Sequence, residues 1–363
     1  MTGEFDVVHE DVAKLGLLVG RAASAARLFA AQNYRSGPNE LGEGLLGMLA
    51  APLDRWQALA ETNTARAADL AAACADELQR AAAHYEKTEL ANLKLADAHY
   101  PAATSPKLTP GEVIAHASTG DFGDWESASA DPRDPNSKYS GPPAPTELDA
   151  TEGWPTDLEE KVERLTGATS VATHVRALLR QIVGLDPFDL ITTLVSGDWK
   201  LLMTQGMIFE DTAIAFTRIK ENITRGCYAI QDTWEGNAAS AAENWLMAYA
   251  KAAGAHAQFS RDAGWKIKNF ARAAYHGFVA LNIGVDALLD SVVDLLFLGP
   301  LKGNPLKGAG AVVAAYEAVA DIADGLRSLA HLVQAAAEVV AGNGEVAAST
   351  WPAQPYDHPD PSL

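Results

Sequence analysis

The side chains of this chain with the strongest claim to chemistry are its nine histidines, its two cysteines and a row of aspartates. Asp286, Asp290 and Asp294 recur every four residues, which places three carboxylates on one face of a helix. Metal centres in helical bundles pair such carboxylates with Glu-x-x-His motifs on facing helices. No such motif occurs, so the row reads as a solvated face. The histidines are scattered without an i, i+4 pair, and His256 falls on a packing stripe as a hydrogen-bonded or bundle-edge residue. Cys74 and Cys227 are too few for a disulfide scaffold or a thiolate metal site. Three readings remain for them: buried free thiols, a disulfide between two helical segments, or reactive thiols. G-x-S-x-G, H-E-x-x-H, Walker A and C-x-x-C patterns are all missing. The sequence implies no metal and no cofactor, and the expectation is a protein that is not an enzyme.

The elements that carry these residues are helical. Hydrophobic residues make up 48% of the 363 positions but aromatics only 7%. Alanine, the best helix former and a poor strand residue, fills much of the difference. With 28 basic against 47 acidic side chains the net charge is −19, which argues against nucleic acid as a partner, because phosphate contacts need clustered cations. Val8, Val12, Leu15, Val19, Ala22, Ala26 and Phe29 form a 4-3-4-3 seam over residues 5–32. A turn-rich segment at 33–39 follows. A second stripe then runs from Leu49 through Trp56, Cys74 and Tyr85, with its helix expected to reach about Ala96.

Residues 101–165 are crowded with proline, glycine and serine and read as an irregular linker. Periodicity returns near Leu165. Ser196-Gly197-Asp198 looks like a helix N-terminus before Trp199, and the stripe Phe216, Ile219, Ile223, Cys227, Ile230 follows. After Trp234-Glu235-Gly236 a further stripe runs from Ala238 through Trp245, Tyr249 and His256 to Ala263. The apolar segment 278–298 has the length of a membrane span, but its three aspartates make it an amphipathic helix. A last helix is expected over about 309–341, then a proline-rich tail. The expected fold is all-α: two helical hairpins packing as an elongated four-helix bundle, with additional C-terminal helices and an irregular linker. Its units are 1–100, the linker 101–165, the helical domain 166–345 and a disordered tail 346–363. The N-terminus carries acids where a Sec signal needs cations, so no conventional export signal is read there.

The helix-turn-helix at Trp234-Glu235-Gly236 resembles the WXG family of type VII (ESX) secretion substrates, and Ser196-Gly197-Asp198-Trp199 is similar to the opening of actinobacterial members. The first hairpin ends in Tyr85-Glu86-Lys87-Thr88-Glu89, which fits the Y-x-x-x-[D/E] export motif of ESX partners. Residues 5–97 look like an EspC-type, PE-like excreted hairpin. A linker and a WXG/PPE-like second hairpin complete an EspB-like architecture. Departures from the pattern are the long linker, Glu89 in place of the commoner aspartate, and the helices over 278–341.

The resemblance implies a composite export signal. Trp234 would supply a large apolar surface, Gly236 the turn that presents it, and Tyr85 and Glu89 an aromatic and a charge one helical turn apart. It further implies recognition by the type VII secretion machinery (an ATPase, with or without a chaperone), a secreted or cell-surface location, and a co-secreted helical partner or homo-oligomer. Membrane contact is left open. Two competing expectations are the export half of a polymorphic toxin and a membrane-active secreted protein using 278–298.

Overall fold

Buried alanines line the helices of this chain wherever they pack on one another. The computed structural model describes residues 7–31, 47–88, 199–297, 305–342 and 351–358. Among them are five helices and no strand: α1 (His9–Ala31), α2 (Gly47–Lys87), α3 (Trp199–Ile230), α4 (Asn237–Phe297) and α5 (Pro305–Gly342). The linker 101–165 and residues 166–198 lie outside the described residues.

On α1 the seam from Val12 to Phe29 is buried, as is the α2 stripe from Leu49 to Tyr85. The first predicted seam residue, Val8, is 36% exposed, because it precedes the helix. Its carbonyl accepts hydrogen bonds from the amides of Asp11 and Val12 and so caps α1. The helix expected to run to Ala96 is described only to Lys87.

Cross-links between named residues fix the topology. Gln79 Nε2 donates to the Ala13 carbonyl at 2.6 Å, and Gly20 lies over Ala75, so α1 and α2 are antiparallel. Lys268 Nζ pairs with Glu210 Oε2 at 2.6 Å while Gln231 donates to Glu243, so α3 and α4 form a second antiparallel hairpin. The hairpins pack on each other through α1 against α3 and α2 against α4. Tyr249 Oη donates to the Ala67 carbonyl at 3.1 Å, and Gln57 Nε2 donates to Gln205 Oε1 at 3.0 Å, both in the interior. A single hairpin buries one stripe; the four-helix arrangement buries all of them.

Of the segment 278–298, read from the sequence as a unit of its own, residues 278–297 are instead the end of α4. That helix spans 61 residues, ~92 Å of rise, against 32 residues and ~48 Å for α3. Its far end outruns its partner, and α5 covers it, with Gly325 against Leu281 and Gly284 against Ile322. Burial of Leu281, Ile322, Leu326 and Val333 holds that extension. α5 begins at Pro305, earlier than expected, since a proline at the first helical position gives up only an amide that has no partner there. Asp286, Asp290 and Asp294 lie on the α4 backbone, but their side chains are not among those described. No helix among the described residues is long and apolar enough to cross a membrane.

Close approach of α3 and α4 depends on Gly264. A Cβ there would sit 2.7 Å from the Gly206 carbonyl oxygen and 2.9 Å from Glu210 Cγ. Backbone cannot swing aside, so Gly264→Ala should cost about 1–3 kcal/mol from overpacking, more than the ~1 kcal/mol of helix propensity gained. Gly20 is the control: its Cβ would meet Ala75 at an ordinary 3.6 Å, and Gly20→Ala should leave stability level or raise it by up to ~1 kcal/mol. Chemical denaturation of the two variants checks the contrast.

Candidate functional site

The turn between α3 and α4 is built by its backbone. The Ile230 carbonyl accepts from the amides of both Thr233 (3.0 Å) and Trp234 (2.9 Å), which tightens the end of α3. Gly236 has φ of 120°, a conformation that side chains with a Cβ rarely adopt, and its carbonyl receives the Ser240 amide to open α4. The chain before α1 joins this turn: the Val8 amide donates to the Thr233 carbonyl at 2.7 Å, and Val7 makes an isolated antiparallel bridge with Trp234.

This geometry turns the Trp234 indole inward. It is 3% exposed and meets the Tyr85 ring edge to face, with centroids 6.2 Å apart and planes at 67°. Leu15, Cys227, Ile230, Ala242 and Leu246 complete its surroundings. The structure therefore places Tyr85, Trp234 and Gly236 at one end of the bundle. Glu89 lies outside the described residues. The apolar surface that Trp234 was expected to offer is not on the outside: the turn that Gly236 permits buries the ring instead of displaying it. What faces solvent around the pair is polar, with Asp232, Glu86 and Lys87 exposed and His84, Thr88 and Glu235 half-buried. The Trp234 Nε1 is buried with no hydrogen-bond partner among the described residues. Such an orphan donor costs about 1–3 kcal/mol, which a phenylalanine in the same slot would avoid.

Tyr85 is also covered from the C-terminal side. The His358 ring lies 5.5 Å from the Tyr85 ring, the His358 amide donates to Glu77 Oε1 at 3.1 Å, and Tyr356 Oη reaches the Ala238 carbonyl at 3.5 Å. Trp351 packs among Phe216, Tyr249 and His256 with centroid separations of 6.2, 5.3 and 6.3 Å. Within the stretch 346–363 expected to be disordered, residues 351–358 are thus seated on the bundle; 346–350 and 359–363 lie outside the described residues. Two large aromatics and a histidine within eight positions were the signal the sequence carried for this. Proline removes helix and strand hydrogen bonding but leaves such side chains free to anchor.

Cys74 and Cys227 are free and fully buried in the core shared by the two hairpins. Burial pushes both thiols well above their usual value, with Cys227 and Glu77 adding to the effect on Cys74 and Glu243 adding to that on Cys227. Thiolate is the reactive form, so these side chains pack rather than react, and no disulfide joins them. His256 is buried, and its Nε2 shares a hydrogen bond of 3.1 Å with Thr64 Oγ1.

At the opposite end, a cleft of about 510 Å³ opens between α2, α3, α4 and α5, walled by Leu49, Leu53, Leu202, Phe270 and Leu332 with Trp265 at its side. Only Lys266 and Asn269 bring polarity to it. No group of three or more histidine, cysteine, aspartate or glutamate side chains that could hold a metal ion occurs among the described residues. Comparison of the chain with protein-family models, with curated proteins and with solved structures returned no match.

Proposed function

We propose that this chain is a non-enzymatic substrate of a type VII secretion system, exported as a folded helical bundle and acting outside the cell by helical protein–protein interaction. The observation that supports this reading is the meeting of Tyr85 and Trp234, from different hairpins, edge to face at one bundle end. The aromatics of the two short motifs that resemble export signals, far apart in the sequence, form there a single ring pair. It forms only when both hairpins have folded and docked, so a machinery reading it would read the folded state. Recognition then falls to the polar rim, Glu86, Lys87, Asp232 and Glu235, together with the Glu89 charge that the resemblance implies, and the two aromatics set its shape from beneath. The secretion ATPase is the partner in this reading, and no cofactor takes part.

Export of conservative variants tests it in a host that carries the machinery. Trp234→Phe keeps most of the buried ring, and Glu89→Gln keeps the size of the side chain while removing its charge. Each should melt within a few degrees of the parent yet accumulate inside the cell by about ten-fold or more over the medium. Parental export of both variants would remove the basis of the proposal.

A further inference from the structure

The segment Trp351–His358 makes a kind of contact found nowhere else among the described residues: an irregular, proline-bearing stretch of chain lying across helices. Trp351, Tyr356 and His358 are buried, while Ala353, Gln354, Pro355 and Asp357 between them are exposed. The segment is held as an extended peptide ligand is held. Arg66 donates to the carbonyls of Pro352 (3.0 Å) and Ala353 (3.3 Å), and the Trp245 indole N–H donates to the carbonyl of Gln354 at 2.9 Å. Trp245 in turn stacks on Tyr249, with centroids 5.5 Å apart and planes at 16°. An indole that donates to a main-chain carbonyl, beside a slot for a large side chain, is how aromatic-lined grooves recognise proline-rich peptides. The ligand pattern here is Trp-Pro-x-x-Pro-Tyr-x-His. Its two prolines lack amides and need no partner for them, and their fixed φ lowers the entropy lost on docking.

We propose that the face shared by α2 and α4 is a binding site for proline-rich aromatic peptides of this pattern, and that the chain's own residues 351–358 occupy it as a releasable strap. The site is defined by Arg66, Trp245, Glu77 and the ring surface of Phe216, Tyr249 and His256 on which Trp351 rests. Two features fit release. Its bonds to Arg66 and Trp245 lie at the exposed surface. The Trp351 Nε1 is buried without a hydrogen-bond partner among the described residues, so the main anchor is held by packing. Release would uncover Tyr85, and only that consequence rests on the export reading; the binding site stands on its own contacts.

The test uses the full-length chain and a labelled synthetic peptide of residues 349–360. The doubly substituted chain Trp351→Ala/Tyr356→Ala, whose groove walls are intact, should bind the peptide saturably and at least about ten-fold tighter than the parent, whose site is filled. Changing tryptophan to alanine in the peptide should abolish that gain, and adding Arg66→Ala to the chain should weaken it several-fold. On the parent chain, hydrogen exchange at the His358 amide should be at least ten-fold faster than at buried α2 amides, through local opening. Three results would overturn the proposal: equal peptide binding by parent and variant, helicity lost in the variant, or a His358 amide that exchanges only with global unfolding. Each would make the segment an integral part of the core or the groove no site at all.

Discussion

Replacing Trp234 by alanine should destabilise the protein by about 3–5 kcal/mol, the usual cost of deleting a buried large aromatic. The ring is 3% exposed, packs on Tyr85 and is lined by residues of α1, α3 and α4, so the cavity would sit where three helices meet. Against a total stability of about 5–15 kcal/mol, this is a large share. Tyr85→Ala should carry a comparable cost. In the double variant the losses should fall short of additive by about 0.5–1.5 kcal/mol, the coupling of an edge-to-face aromatic pair. Denaturant melts of the four proteins give that cycle; strict additivity would show that the rings are neighbours without being partners. The alanine variants are unsuitable for judging export, since a chain that unfolds more readily is lost inside the cell for reasons unrelated to recognition. Conservative substitutions separate the two effects.

Acidification should weaken the fold through His256 well before the carboxylates titrate. Burial lowers its pKa from 6.5 to about 3, so the folded chain holds the ring neutral. Above pH 6.5 neither folded nor unfolded chain carries the proton, and stability is unaffected. Below it the unfolded chain takes up a proton that the folded chain refuses, and stability falls by about 1.4 kcal/mol per pH unit until pH 3. At pH 4.5 the loss from this group alone is roughly 3 kcal/mol. Glu221 acts in the opposite sense: burial raises its pKa, against the charges of Arg225, Lys220 and Arg218, so its protonation on acidification favours the folded chain. The comparison that isolates the histidine is His256→Leu, which should flatten the dependence between pH 6.5 and 4.5 while the Glu221 contribution persists. A parental slope in that variant would place the acid sensitivity elsewhere.

Helix content, the stripes that became the core and the turn at Trp234-Glu235-Gly236 were legible because they are local. An apolar residue at every third or fourth position makes a stripe whatever it packs on, and the seam from Val12 to Phe29 is buried as its spacing requires. Gly236 in the turn was legible for the same reason, since its positive φ is a demand of its own backbone. What remained hidden depended on which stripe meets which. The continuity of α4 past residue 278 rests on α5 covering its far end, a contact between segments that share no local pattern. The docking of Trp351 and Tyr356 needed a groove whose walls come from α2, α3 and α4, and proline content pointed away from it. Nor does sequence say on which side of a turn an indole lies. Trp234 faces inward because Val7 and Val8 bridge the turn from outside and Tyr85 waits beneath it. Helix and turn propensities act over a few residues and can be read along the chain, whereas burial is settled by surfaces brought together from distant parts of it.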